Sequence, residues 1–509
     1  MSHQKSFGTS VLAPHSKFYQ GPFGRICPNL PAWSPPGDEA AQDTYFEDFA
    51  RNNMVELPGG ATPSDIAGNQ ATIDDLDAQF GSSVPAGYTY FGQFVDHDIT
   101  HDPTSLSQRQ VDPDMILNFR TPRLDLDSVY GRGVGEQPYL YDPDDKGKLL
   151  TGKVAGTNLA DLPRNSVGRA LIGDMRNDEN SMVSQLHLAF LKAHNALVQR
   201  QVDADAGVDR GQAFDRARAT LTRLYQWVVW NDFLKRIAVD EVLSCALKLE
   251  ERCGGRKVWD MGLDDVYKWK HQPYMPVEFS GAAYRFGHSM VRNSYQTNFP
   301  HRGFKEFAPI FDNSGGGDPD DLRGFRPMKK ENVIQWDWFL QMTSSLPGVF
   351  PQMARKIDTK LANALVHLHE GPAGDANNVL AFRNLKRGVN LGLPSGIDVA
   401  KKFCLKPLKL GEDEPKSLWY YILKEAETLP GNNGGQMLGR LGSTIICATF
   451  AGLLKGDPCS FFNVDPCWTP DDDCLLTEAD KVDDPNWTLA SIIRLSGLPV
   501  DGDDVTSQT

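Results

Sequence analysis

The sequence predicts a mainly α-helical fold: one large helical domain, a long irregular N-terminal arm and little β structure. Helical periodicity, scarce strand signals and an early concentration of Pro and Gly carry this reading. From Met182, the apolar residues Val183, Leu186, Phe190, Ala193 and Leu197 step by three and four, and Asn177 or Asp178 can cap the start of a long core helix. TLTRLYQWVVWNDFLKRIAVDEVL, VIQWDWFLQM and GRLGSTIICATFAGLL have the same texture. PNLPAWSPPGD and ELPGGATPSD make residues 1–80 an irregular arm packed on the body. Residues 81–475 form the main domain and 476–509 a C-terminal tail, while Phe311–Phe325 and the stretch from Asp457 read as loops.

At 509 residues the chain can bury a large core, which favours an enzyme. Its 52 Lys+Arg against 66 Asp+Glu leave a formal charge of −14, which opposes phosphate backbones and anionic membranes and argues against a nucleic-acid partner. The opening MSHQKSFGTSVLAPHS lacks a signal-peptide core, and IICATFAGLL is too short for a membrane span. A soluble protein is expected, cytoplasmic or exported without an N-terminal signal. The eight cysteines form no CxxC pair, although Cys459, Cys467 and Cys474 are close enough in sequence for a bridge in an exported protein.

Four segments carry chemistry. In YFGQFVDHDIT, Gln93, Asp96, His97 and Thr100 share one helical arc while Asp98 faces away from Asp96. Alone, this is also the pattern of a half-exposed helix with a hydrogen-bonded histidine. In TPRLDLDSVYG, Thr121, Asp125, Asp127 and the Arg123 carbonyl offer hard oxygens, and Asp98 can add another; calcium takes such ligands, but an isolated DxD is also an ordinary turn. In GDMRNDENSMVSQLHLAFLKAHN, Arg176 can stabilise a developing oxyanion or simply pair with Glu179, and His187 and His194 read as structural. In AAYRFGHSMVRNSY, read as an apolar helix, Gly287 beside His288 leaves room for a flat group, and one such histidine can ligate haem iron or sit in a core. The remaining histidines have no partner pattern.

Together and in this order, QFVDHD, TPRLDLDSVYG, GDMRNDE and YRFGH resemble the peroxidase–cyclooxygenase superfamily of animal-type haem peroxidases. YQWVVWNDFL, HLAFLKAHN, GLPSG and LGSTIICATFAGLLKGDPCSFFNVDP resemble its microbial branch, so the likeness covers residues 80–470. The resemblance implies haem b, with His97 as distal histidine, Gln93 in its water or halide network, Arg176 as catalytic arginine and His288 as proximal iron ligand. Asp96 and Glu179 match carboxylates that ester-link to haem. Asp98, Thr121, Arg123 (through its carbonyl), Asp125 and Asp127 match calcium ligands. The implied activity is reduction of hydrogen peroxide, with oxidation of small organic donors, halides or thiocyanate through a ferryl haem, as in responses to oxidative stress.

Departures from the pattern add expectations. Asn180 stands where myeloperoxidase has its sulfonium-forming methionine, so no myeloperoxidase-like red shift is expected. In GLPSGIDVAKKFC, Asp398 aligns with the family's proximal asparagine across a one-residue insertion; a carboxylate there makes the imidazole more electron-donating, lowers the iron potential and makes chloride oxidation harder. Arg285 occupies the position of the radical tyrosine of cyclooxygenases, as in peroxidases, and Tyr284 is expected to point to another side of the helix. The competing functions are a fatty-acid dioxygenase using Tyr284 and a haem-free adhesion or matrix protein.

Overall fold

A computed structural model describes residues 21–498 except 58–61, 102–116, 119, 253–254, 270–272, 304, 312–319, 343–349, 367, 369–375 and 483–484. The readings made on residues 1–20, the middle of the Phe311–Phe325 loop, Cys253, His271, His367 and His369 lie outside the described residues.

Helices dominate, and the expected core helix runs Ser181–Ala204. Its cap is Asn180, whose Oδ1 accepts from Val183 N at 3.0 Å. Asn177 and Asp178 occupy the preceding 3₁₀ turn, Met175–Asp178, where their side chains are used elsewhere. Against the core helix lie Gly87–Ile99, Arg210–Val228 and Leu489–Ser496. Phe94 stacks on Phe190 at 4.5 Å, and both meet the edge of Tyr225, at 6.1 and 5.7 Å. All three are fully buried. Burial stabilises each by roughly 1.5–3 kcal/mol, which fixes the rotation of the Gly87–Ile99 helix. Its other face, with Gln93, Asp96 and His97, looks into a cavity.

Strands are short. Gly21–Gly24 lies antiparallel to Leu117–Asn118 and parallel to Met275–Pro276; Gly81–Pro85 pairs with Met353–Arg355, and Leu247–Arg252 with Arg256–Met261 forms a hairpin. Arg210–Val228 runs into a π-helical turn, Val229–Phe233, which aims Asp232 inward. Asp232 accepts from Tyr88 Oη at 2.6 Å and Leu489 N at 2.9 Å, tying together the starts of two helices.

Several local readings are corrected. The Pro/Gly-rich arm contains the helices Glu39–Asn53 and Gln70–Phe80, each begun by a side-chain cap (Asp38, Asn69). VIQWDWFLQM forms only a 3₁₀ turn, Trp336–Trp338, because Ile334, Trp336, Asp337 and Phe339 are all buried and no single helical face would satisfy them. AAYRFGHSM is also 3₁₀, over Ala283–Met290. The tail is integral: Leu489, Ile492 and Ile493 of Leu489–Ser496 are fully buried. Cys459, Cys467 and Cys474 are free. Among the described residues no helix is long and apolar enough to cross a membrane.

Candidate active site

A cavity of about 550 Å³ collects Gln93, Asp96, His97, Arg176, Glu179, Arg285 and His288 around one space. Phe233, Phe286, Ile310, Leu365, Leu368 and Leu380 supply apolar walls, and the volume is that of a small-molecule or cofactor site.

His97 Nδ1 lies 2.8 Å from Asn177 Oδ1, and Asn177 Nδ2 lies 2.9 Å from His187 Nδ1. Burial, then the nearby Arg176 charge, lowers the His97 pKa to about 4, so the ring is neutral at physiological pH. Arg176 Nη2 donates to the carbonyls of His97 at 3.0 Å and Thr100 at 2.6 Å. Its ion partner is Asp174, at 2.7 Å, rather than Glu179. Burial alone would raise the Asp174 pKa, but Arg176 and Arg120 hold it well below the usual carboxylate range. The guanidinium is therefore fixed by a salt bridge and two carbonyls.

Glu179 accepts a short hydrogen bond from Gln93 Nε2, and Gln93 Oε1 accepts from Asn180 Nδ2 at 3.1 Å. Asp96 Oδ1 accepts from Thr100 Oγ1 at 3.0 Å. Gly324 N donates to Glu179 O at 3.0 Å and Phe325 N to Asp178 O at 2.7 Å, pressing the Gly324–Phe325 segment against the Glu179 turn. A Cβ on Gly324 would lie 1.6 Å from Asp178 O, so glycine is required there.

The same cavity is lined by His288, its Nδ1 2.9 Å from Asn384 Nδ2. This corrects the expectation for Asp398. Asp398 belongs to the helix Gly396–Lys402, where it accepts from Ser395 Oγ at 2.7 Å, while Ser395 caps that helix. Asn384 comes from the preceding helix, Leu380–Asn390, on the face that also buries Ala381, Leu385 and Gly388. Burial, then Arg285 and Arg387, lowers the His288 pKa to about 3, leaving a neutral ring. Arg285 is anchored by Nε donation to Ser280 O at 2.8 Å. In a 3₁₀ helix residues three apart eclipse, which places Arg285 over His288. Tyr284 departs from expectation, since it lines the same cavity, stacks on Phe279 at 4.7 Å and has a buried hydroxyl without a hydrogen-bond partner.

Behind the Gly87–Ile99 helix, Asp98, Asp125 and Asp127 bring ligand oxygens within 4.8 Å of one another. The loop wraps Asp98, which accepts from Leu126 N at 3.2 Å and Ser128 Oγ at 3.1 Å. To do so Leu126 adopts φ 58°, ψ 33°, a conformation costing a non-glycine residue roughly 1–2 kcal/mol. Thr121 Oγ1 donates to Asp125 at 2.9 Å, Arg120 pairs with Asp127 at 3.2 Å, and the Arg123 side chain pairs with Asp457 at 3.2 Å. His194 is structural, bonded to Tyr130 Oη at 3.0 Å and Gly147 O at 3.2 Å.

Sequence reasoning missed Asn177 and Asn384. The available signals were an amide directly after Arg176 and an asparagine on the apolar face of an amphipathic helix.

Two neutral histidines and a fixed arginine thus line one cavity with apolar walls in a helical body. The profile described as animal haem peroxidase matches residues 104–414, more than half of the chain, and the chain belongs to this family. Membership of this family implies a haem cofactor. Similar curated proteins include a peroxidasin homolog, pxn-2, of Caenorhabditis elegans, 24% identical over 57% of this chain and 21% of its own length. Thyroid peroxidase of Canis lupus familiaris is 25% identical over 46% of this chain and 22% of its own length. The match spans only 21–41% of the length of the first three such relatives. Peroxidase A from Dictyostelium discoideum shares the fold at a TM-score of 0.59 and 16% identity, over 92% of this chain and 96% of that one. A fatty acid alpha-dioxygenase from Oryza sativa does so at 0.55 and 13%, over 99% and 87%.

Proposed function

We propose that the chain reduces hydrogen peroxide with His97 and Arg176 as its catalytic pair, on a haem ligated by His288, and oxidises small organic donors, halides or thiocyanate. The observation that carries this is a single cavity lined by His97, Arg176 and the Asn384-held His288. The lining fits a porphyrin. A Cβ on Gly287 would meet open space, leaving room beside His288, and the apolar walls suit a flat macrocycle. Arg285, Arg323 and Arg383 reach the cavity as cations for its carboxylates.

Ligation through His288 Nε2 needs a proton on Nδ1 and an acceptor facing it. Turning the Asn384 amide over supplies that acceptor, Oδ1, at the same position. An amide polarises the ring less than a carboxylate would, so the lowered potential expected from Asp398 has no basis. Bound haem supplies iron for the two-electron reduction of peroxide, the equivalents being restored by donor oxidation. His97 Nε2 takes a proton from the incoming peroxide and returns it to the departing oxygen, which leaves as water. Arg176 Nη1, not used in the bonds that anchor the guanidinium, stabilises the charge on that oxygen. Asp96 and Glu179 are the residues for ester links, Gln93 organises water or halide beside Glu179, and Asp98, Thr121, Asp125, Asp127 and the Arg123 carbonyl hold calcium.

His97→Ala and Arg176→Ala, followed by stopped-flow mixing with peroxide, should each slow its cleavage at least about 100-fold while His288-dependent haem binding persists. Near-normal rates would overturn the assignment. Acid–acetone extraction of haem from wild type, Asp96→Val and Glu179→Gln reads the ester links. A second reading, fatty-acid dioxygenation, is favoured by one observation, the buried, unpartnered hydroxyl of Tyr284, a residue that lines the cavity. Oxygen uptake with palmitate, abolished by Tyr284→Phe, would establish it.

A further inference from the structure

We infer that Asn177 and His187 are positioning residues that lock His97 in the tautomer with its proton on Nδ1 and its Nε2 lone pair toward the cavity. The catalytic consequence rests on the reading of His97 as the proton acceptor for peroxide; the lock itself does not. His97, Asn177 and His187 form one buried chain, with contacts of 2.8 Å from His97 Nδ1 to Asn177 Oδ1 and 2.9 Å from Asn177 Nδ2 to His187 Nδ1.

A carboxamide has one accepting end and one donating end, so its orientation dictates both rings. With Oδ1 toward His97, Nδ1 of that ring must carry the hydrogen and Nε2 must be bare. With the amide reversed, Nε2–H would face the cavity and could not accept a proton. The Arg176 charge selects the productive direction. Arg176 grips the His97 carbonyl through Nη2 and lines the same cavity, so its charge favours a lone pair over an N–H on that side. In this direction His187 Nδ1 accepts from the amide NH₂ and carries its own proton on Nε2. Without His187, the inward Nδ2 has no acceptor. Arg176 and Asn177 are consecutive in the 3₁₀ turn Met175–Asp178, and Asn177 N donates to Asp174 O at 3.1 Å. One rigid turn thus supplies both the cation and the group that orients the base.

The test is nitrogen-15 NMR of [15N]histidine-labelled full-length chain, haem-free and in the diamagnetic reduced carbonyl form, with His97 assigned from its loss in His97→Gln. Wild type should show His97 protonated at Nδ1 alone. Asn177→Leu and His187→Leu should populate both tautomers, and His187→Asn, whose Oδ1 takes the place of the ring Nδ1, should restore one. In haem-loaded protein the peroxide rate constant should fall about 10–100-fold in the two leucine variants and recover in His187→Asn. A wild-type His97 carrying its proton on Nε2, or an unchanged tautomer in both leucine variants, would overturn the inference. If Asn177→Leu fails to fold, the contrast between His187→Leu and His187→Asn decides alone. Failure to bind haem would sink the peroxidase reading, whereas the haem-free spectra still judge the lock.

Discussion

Calcium should stabilise this protein at alkaline pH and do little at acid pH. Asp98, Asp125 and Asp127 place ligand oxygens within 4.8 Å of one another. At an effective dielectric of ~20, each fully ionised pair at that separation costs about 3–4 kcal/mol. Arg120, paired with Asp127 at 3.2 Å, offsets part of this. The metal-free site relieves the rest by holding protons: burial, opposed by Arg120 and assisted by Asp125 and Asp174, raises the Asp127 pKa to about 7. A folded-state pKa above the unfolded value means stability present at low pH and lost on the way up. With each unit worth about 1.4 kcal/mol, the metal-free fold loses roughly 4 kcal/mol between about pH 4 and about pH 7. For a chain of this size that is roughly 4 °C in Tm. A bound cation replaces the protons, and calcium at ~100 times its Kd restores about 2.7 kcal/mol. Calorimetry with calcium or a chelator at about pH 5 and about pH 8 checks this. The calcium-dependent rise should appear at the higher pH and vanish in Asp127→Asn. No rise in wild type at the higher pH, or an equal rise in the variant, would refute the reasoning.

Other outcomes follow from the same geometry. Because burial and Arg176 lower the His97 pKa to about 4, the peroxide rate constant should stay flat from neutral pH downward and fall only below about pH 4; a break above about pH 6 contradicts a buried neutral base. Asn384→Ala should change the iron reduction potential, whereas Asp398→Ala should leave it unmoved and cost at most about 1 kcal/mol in helix capping, as potentiometry and denaturation will show. Gly324→Ala forces a Cβ to within 1.6 Å of Asp178 O and so must displace the backbone pressing on Glu179. It should lower stability by at least about 2 kcal/mol and increase acid–acetone-extractable haem, and unchanged extraction would separate Glu179 from this clamp.

The parts of the site that were legible in the sequence are those where polar residues interrupt apolar periodicity. His97, Asp96 and Gln93 stand out from YFGQFVDHDIT because a core helix does not carry such groups without partners, and the cavity on that face is the partner. The Ser181–Ala204 helix was legible because its apolar repeat is long. The partners themselves were not. Asn177 looked like a helix cap because its side chain's real target, His97, is 80 residues away in sequence. Asn384 was passed over for Asp398 because alignment weighs neighbours along the chain, while the contact with His288 is set by how Leu380–Asn390 packs. Backbone type was also hidden where tertiary packing, rather than periodicity, sets it. Trp336–Trp338 and Ala283–Met290, most of whose residues are buried, wind as 3₁₀ turns because tertiary contacts override the helical period.

The central claim is that the cavity lined by His97 and His288 would hold a haem. The most direct measurement is the visible spectrum of the chain produced with ample haem, for wild type and His288→Ala. The account predicts a peroxidase-type Soret band without the myeloperoxidase red shift in wild type, and its loss or displacement in the variant. A wild-type protein with no Soret band, or one whose band is indifferent to His288, would contradict it.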